Sequence, residues 1–134
     1  MNTQDAMTAV EAAHIRIMRH PETFLFSGVV LLGKNEIVED VPTACTDGIN
    51  KMYGRQFISK LSPAEIVGVV LHEASHIFYR QIPRHRDLVK EDSQLFNVAA
   101  DYAINDEIVR ISKLDPGFCK LPEGGLYDAK FKGW

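Results

Sequence analysis

Two histidines and a glutamate form the most chemically distinctive pattern in this sequence. The stretch His72-Glu73-Ala74-Ser75-His76 has the form HExxH. Positions i and i+4 of a helix lie one turn apart on the same face, so both imidazoles can reach one metal ion. Paired imidazole ligands of this kind are typical of Zn²⁺. The pattern therefore predicts one zinc ion per chain, with His72 and His76 as two of its ligands.

Glu73 is placed to do chemistry beside such an ion. It lies about 100° further round the helix axis than His72, so it can reach a water on the metal without being a ligand. Zinc lowers the pKa of a bound water towards about 7. A neighbouring carboxylate can then accept the proton of that water and pass it to a leaving group. We predict that Glu73 is the general base, and then the general acid, of a hydrolysis reaction.

A catalytic zinc site usually has three protein ligands and one open position, so a third ligand must come from elsewhere in the chain. The best candidate is Asp101, the middle member of a polar stripe on an otherwise apolar stretch. The stripe is Asn97, Asp101 and Asn105, spaced four residues apart. A buried carboxylate needs a metal or another cation. The amides of Asn97 and Asn105 could hold Asp101 or a ligand histidine in place as outer-shell groups.

Several alternatives stay open for the other roles. Three residues compete with Asp101 as third ligand: His85, Asp106 and Glu107. Asp106 could instead accept a hydrogen bond from a ligand histidine. Tyr102 or Tyr79 could donate a hydrogen bond to an oxyanion, although a tyrosine packed in the core is the simpler interpretation of either residue.

Three helices are predicted to carry or support these side chains. The apolar periodicity predicts helices over residues 3–19, 62–80 and about 93–112. The second has the clearest start, because Ser62, Pro63 and Glu65 fit the N-cap, the first helical position and the capping box. Its apolar residues cover more than half of its circumference, which predicts a mostly buried helix.

The strands are predicted to form a small and largely antiparallel sheet. Aromatic and β-branched residues favour a buried strand over residues 24–32, with residues 37–41 as its hairpin partner. Residues 43–46 and 49–53 flank Asp47-Gly48, which is a strong hairpin signal. The glycines and prolines after residue 115 predict an extended tail.

Length and composition restrict the class of protein. The chain has 134 residues, of which 46% are hydrophobic and 25% charged, and its net charge is −3. One domain over residues 1–134 is expected. The charge gives no basic field for nucleic acid, and no apolar run approaches the roughly 20 residues of a membrane helix. Two cysteines exclude a disulfide scaffold. We expect a cytoplasmic protein.

With these residues in view, the chain resembles a zincin-like HExxH metallopeptidase domain family of bacteria and phages, which often precedes a von Willebrand factor A-like domain. The matching segments run in order along the chain, at residues 43–48, 57–62, 70–76, 97–105 and 121–127. The resemblance covers about residues 43–134. The chain's end at residue 134, without an A-like domain, leads us to expect a fragment of a longer protein.

The resemblance implies an α+β zincin-like fold. Its small sheet would pack on the HExxH helix and on a second helix that delivers an acidic third ligand, Asp101, with an N-terminal helix added. It also implies a polypeptide substrate bound by main-chain pairing to an edge strand, here within residues 41–46. A C-terminal A-like region or a separate protein would be a partner.

The function expected from the sequence is therefore zinc-dependent hydrolysis of peptide bonds. Two alternatives remain. The domain could be a non-catalytic binding module stabilised by its metal, although a structural site has no need of Glu73. It could also be a zinc hydrolase of a non-peptide amide, because the same zinc chemistry would serve. The sequence does not define the substrate, the cleavage preference, the oligomeric state or the residue that stabilises the oxyanion.

Overall fold

The computed structural model describes residues 1–81 and 93–122, and it has the predicted α+β composition. His85 lies outside these residues, as do most of the tail segment and the side chain of Asn97. The described helices are α1 (Thr3–Arg19), α2 (Ser27–Val30), α3 (Arg55–Ser59), α4 (Pro63–Gln81) and α5 (Ser93–Leu114), and the strands are β1 (Asn35–Val38), β2 (Ala44–Thr46) and β3 (Lys51–Gly54). None of the described helices is long and apolar enough to cross a membrane.

Helix α4 is the central element of the core, and it begins where the capping signal predicts. The Glu65 backbone N–H donates to the Ser62 hydroxyl at 3.2 Å, and the Ser62 N–H donates to the Glu65 carboxylate at 3.0 Å. These two bonds satisfy donors that a helix start otherwise leaves open. Every residue from Ile66 to Ile77 is buried, and α4 packs against both α1 and α5. The predicted burial of this helix is confirmed.

Strand β3 lies in the middle of a three-stranded mixed sheet with the order β1-β3-β2. The predicted hairpin is confirmed, because β2 runs antiparallel to β3 with Ala44 opposite Tyr53 and Thr46 opposite Lys51. Gly48 provides the left-handed backbone conformation in the turn, with a φ of 99°.

The expectation of a mostly antiparallel sheet is wrong, because β1 pairs with β3 in parallel. Residues 39–43 carry the chain from β1 across the end of β3 to the opposite edge, where β2 begins. Gly54 makes this crossing possible, since a Cβ atom at that position would collide with the Val41 carbonyl oxygen. The Gly54 N–H also donates to the Thr43 carbonyl at 2.7 Å. This crossing, rather than a hairpin, connects β1 to the sheet.

The predicted strand over residues 24–32 is also wrong. That segment forms a 3₁₀ turn (Phe24–Phe26) followed by α2. An apolar run of this length does not by itself distinguish a strand from short helical turns. Its carbonyl groups at residues 29, 30 and 32 accept hydrogen bonds from the Lys51 side chain rather than from a neighbouring strand.

The last described segment passes closely over α4. Phe118 stacks on the His20 ring at the end of α1, and the Lys120 N–H donates to the Ala64 carbonyl at 3.1 Å. Gly68 permits this approach, because a Cβ atom there would collide with the Lys120 carbonyl oxygen. The segment thereby closes one side of the helix that carries the HExxH motif.

Candidate metal centre

The side chains of His72, His76 and Asp101 meet in the interior of the protein, between α4 and α5. None of the three is more than 1% exposed, and Glu73 on α4 is fully buried as well. The two histidines lie one turn apart on α4, and Asp101 comes from the face of α5 that packs against it. Ala100, one residue before Asp101, is also buried, and its small side chain allows α5 to lie close to α4 here. Two helices thus bring together a histidine pair and a carboxylate that are 25 or more residues apart in sequence.

Three ligand-type atoms converge in this group. The Nε2 atoms of His72 and His76 lie 3.2 Å apart. One carboxylate oxygen of Asp101 lies 3.1 Å from the His72 Nε2 and 2.7 Å from the His76 Nε2. Ligands about 2.0–2.1 Å from a tetrahedral zinc ion are roughly 3.3 Å from one another. The triangle is therefore close to the size that one small metal ion requires.

Asn105 fixes the orientation of the first histidine. The His72 Nδ1–H donates to the Asn105 amide oxygen at 3.0 Å, and Asn105 is itself only 7% exposed. In a neutral imidazole this bond leaves a lone pair on Nε2, the atom that faces Asp101. A lone pair and a carboxylate oxygen at this distance repel unless a proton or a cation lies between them. The contact expected for Asn105 is thus present, and it directs His72 Nε2 into the triangle.

The charge state of Asp101 suits a cation. Burial by itself would raise the pKa of this carboxyl, but hydrogen bonds from His72 and His76 and the charges of both rings, when these rings are protonated, lower it to about 2. Its second oxygen, Oδ2, is buried and has no hydrogen-bond partner among the described residues. An ionised carboxylate with spare acceptor capacity, beside two imidazole nitrogens, is a donor set that fits Zn²⁺.

Among the described residues, the other candidates for third ligand or oxyanion donor are not part of the His72, His76 and Asp101 group. Asp106 is exposed, and Glu107 pairs with Arg110 on the surface of α5. Tyr102 follows Asp101 along α5 and is 61% exposed. Tyr79 is only partly buried. Within the described residues, the set that could hold a metal ion is His72, His76 and Asp101.

The core holds a second buried polar group, which sequence reasoning did not identify. Lys51 and Tyr53 alternate along β3, so both side chains point to the same face of the sheet, and both are fully buried. The positive charge of Lys51 acts on the buried His14 of α1, and the negative charge of Glu73 acts on both Lys51 and Tyr53. The period-two spacing of Lys51 and Tyr53 was the available signal, but the sequence does not show that both side chains are buried.

Burial controls the titration of this second group. It lowers the pKa of His14 to about 4, helped by the positive charge of Lys51. It lowers the pKa of Lys51 to about 8, although Glu73 partly opposes this change. Burial and the negative charge of Glu73 both raise the pKa of Tyr53. Near neutral pH the group therefore contains a neutral imidazole, an ammonium and an un-ionised phenol.

The fold and the site together define an α+β protein with a buried His–His–Asp group of metal-binding type. The model of the family described as "Putative metallopeptidase domain" matches residues 7–130, and the chain belongs to this family. No curated protein and no solved structure matches the chain. The family and the three-residue group support a metal-dependent hydrolase.

Proposed function

We propose that the protein is a zinc-dependent metallopeptidase. His72, His76 and Asp101 hold the zinc ion, and Glu73 is the general base and then the general acid. The observation that carries this proposal is the convergence of two imidazole nitrogens and one carboxylate oxygen within 3.2 Å of one another. Family membership supports the hydrolytic class.

Zinc, when bound, supplies a Lewis acid that polarises a carbonyl group and acidifies a water molecule. The chain's own residues do the remaining work. Asn105 holds the His72 ring in the tautomer that presents Nε2. Glu73 accepts a proton from the attacking water and later delivers it to the amine that leaves. Its burial excludes bulk water from the proton transfer.

The proposed substrate is a polypeptide. Strand β2 is an edge strand of the described sheet, and it contacts α4, which carries the metal-binding residues. An extended substrate pairing with residues 41–46 would run beside the HExxH helix, with affinity from main-chain hydrogen bonds. We further propose that a von Willebrand factor A-like region, or a separate protein, assists in substrate selection.

Metal analysis of the purified full chain tests the site. We expect about one zinc ion per chain in the wild type and a large loss of zinc in Asp101→Asn. Asp106→Asn, a matched change on the exposed face of the same helix, should retain the ion. A wild-type protein that binds no zinc, either as purified or after refolding with zinc, would overturn the assignment.

Hydrolysis of a denatured protein or a peptide library tests the role of Glu73. Glu73→Gln should keep the zinc ion and lower kcat by at least about 100-fold, since the proton acceptor is lost while the shape is kept. Glu11→Gln, an exposed change on α1, is the matched control and should cleave like the wild type. Cleavage by Glu73→Gln at the wild-type rate would show that Glu73 is not the base.

The same assays separate the two alternative functions. A metal-stabilised binding module should lose its fold on chelation and cleave no protein at any zinc loading. A hydrolase of non-peptide amides should ignore the peptide library and cleave cell-wall or small-molecule amides with the same dependence on Glu73.

A further inference from the structure

The candidate metal centre is enclosed by the protein. His72, His76 and Asp101 are at most 1% exposed, and Glu73 is fully buried. Hydrolysis of a peptide bond requires the scissile carbonyl group to reach the metal and the water that Glu73 would deprotonate. A polypeptide cannot make these contacts while all four side chains are covered. Some element around the centre must therefore move before a substrate binds, as lids do in many enzymes.

Helix α5 is the best placed of the described elements to move. Helix α4 is packed against α1, α2, β2 and α5, so its displacement would disrupt the whole core. Helix α5, in contrast, packs mainly against α4 among the described elements. Its opposite face is exposed at Asp106, Arg110 and Lys113. A movement of α5 would open the interface that contains the metal centre and leave the rest of the core intact.

The two halves of α5 are held with different strength. Among residues 93–100 whose side chains the structure describes, only the small Ala100 is buried. After Asp101, three large apolar side chains of α5 are each 1% exposed: Ile104, Ile108 and Ile111. Burial of large apolar side chains is the main favourable term in helix packing. Segments with little such burial open at the lowest free-energy cost, so residues 93–100 should separate from α4 more easily than residues 104–114.

The chain that follows α5 anchors its C-terminal end. The Asp115 carboxylate lies 2.7 Å from the His20 Nε2 atom at the end of α1. The Arg16 guanidinium donates to the Gly117 carbonyl at 3.0 Å. Phe118 is buried and stacks on the His20 ring, with 3.9 Å between the ring centroids. These contacts tie the end of α5 to α1, so any hinge motion must be largest at the other end of the helix.

We propose that α5 is a hinged lid over the metal centre. Residues 93–100 separate from α4 to admit the polypeptide, whereas residues 104–118 stay in place as the anchor. Asp101 lies at the border between the two parts, so it can remain beside the histidines while the lid is open. This inference rests on the proposed function for its purpose, but the opening can be measured without any hydrolysis assay.

Thiol labelling of the zinc-loaded full chain tests the lid. Ala100→Cys places a thiol under residues 93–100, and the native Cys119, which is 2% exposed just after the anchor, is the internal control. The protein is pulsed with iodoacetamide at low urea concentrations, and mass spectrometry separates the labelled cysteines. Relative to its rate in unfolded protein, Cys119 should react at least about 100-fold more slowly than the thiol at position 100. Only the Cys119 rate should rise steeply with urea, since local opening exposes little surface. Equal protection and equal urea dependence of the two thiols would overturn the proposal.

Amide hydrogen exchange of the wild type gives the same test without a substitution. The amides of residues 97–101 should exchange at least about 100-fold faster than those of residues 108–112, although both sets lie inside one helix. Uniform protection along α5 would contradict the lid. If the lid opens but the wild type cleaves no peptide, the hydrolase proposal fails and the hinged motion of α5 stands.

Discussion

Acidification should unfold this protein partly through His14, which is not one of the proposed metal ligands. His14 lies on the inner face of α1 and is only 7% exposed. Its Nε2 has no hydrogen-bond partner among the described residues. Burial, together with the ammonium of Lys51, lowers its pKa from 6.5 to about 4. The folded protein thus holds a neutral imidazole that the unfolded chain would protonate much more readily.

The loss of stability at low pH can be calculated from the difference between the pKa of His14 in the folded protein and in the unfolded chain. Between pH 6.5 and pH 4 the unfolded state binds more protons than the folded state, so the free energy of unfolding falls as the pH falls. Each pKa unit corresponds to 1.36 kcal/mol. His14 alone should therefore remove about 2 kcal/mol of stability by pH 5 and about 3 kcal/mol by pH 4. Above about pH 7 its contribution is constant.

Urea denaturation of the wild type and of His14→Gln at pH 7.5, 6, 5 and 4.5 measures this effect. The quantity of interest is the difference between their unfolding free energies, in which the titration of the metal ligands and of the carboxylates cancels. Between pH 7.5 and pH 5, the wild type should lose about 2 kcal/mol more of its unfolding free energy than His14→Gln does. Parallel pH profiles for the two proteins would show that His14 does not contribute to the loss of stability at low pH.

Two further predictions concern the elements around the site. Gly68→Ala should lower the unfolding free energy by about 1–3 kcal/mol, because the added methyl group collides with the Lys120 carbonyl; Gly28→Ala, with open space around it, should change it far less in the same urea assay. Asn105→Leu should weaken zinc binding by about 10- to 100-fold in a competition assay with a chelator, since His72 loses its Nδ1 acceptor. Asn105→Asp keeps an acceptor oxygen and should bind zinc nearly as well, so equal weakening in both variants would contradict the proposed role of Asn105.

Local patterns made the helical half of the site predictable. Ser62 and Glu65 fix the start of α4, and the four-residue spacing of His72 and His76 places them on one face of it. The same spacing put Asp101 and Asn105 on one stripe of α5. Each stripe lies on the buried face of its helix, and burial favours an arrangement in which such polar stripes face each other. The convergence of Asp101 with the two histidines follows from this complementarity.

The sheet and its polar face could not be derived in this way. The parallel pairing of β1 with β3 depends on the crossing at Gly54, which joins segments whose local patterns favour simple hairpins equally well. The segment over residues 24–32 has strand-forming residues, but its carbonyl groups are used by Lys51, a contact between distant parts of the chain. Lys51 itself looks like an ordinary surface residue in sequence. Its complete burial and its three carbonyl acceptors arise from the packing of distant segments, which the local pattern does not encode.

The central claim is that His72, His76 and Asp101 hold one zinc ion. A crystal structure of the protein purified with zinc, with anomalous data collected at the zinc edge, tests it most directly. We expect one anomalous peak about 2.0–2.2 Å from the Nε2 atoms of both histidines and from a carboxylate oxygen of Asp101. A zinc ion held by the two histidines with Asp101 more than about 4 Å away, or no zinc peak at this group, would contradict it.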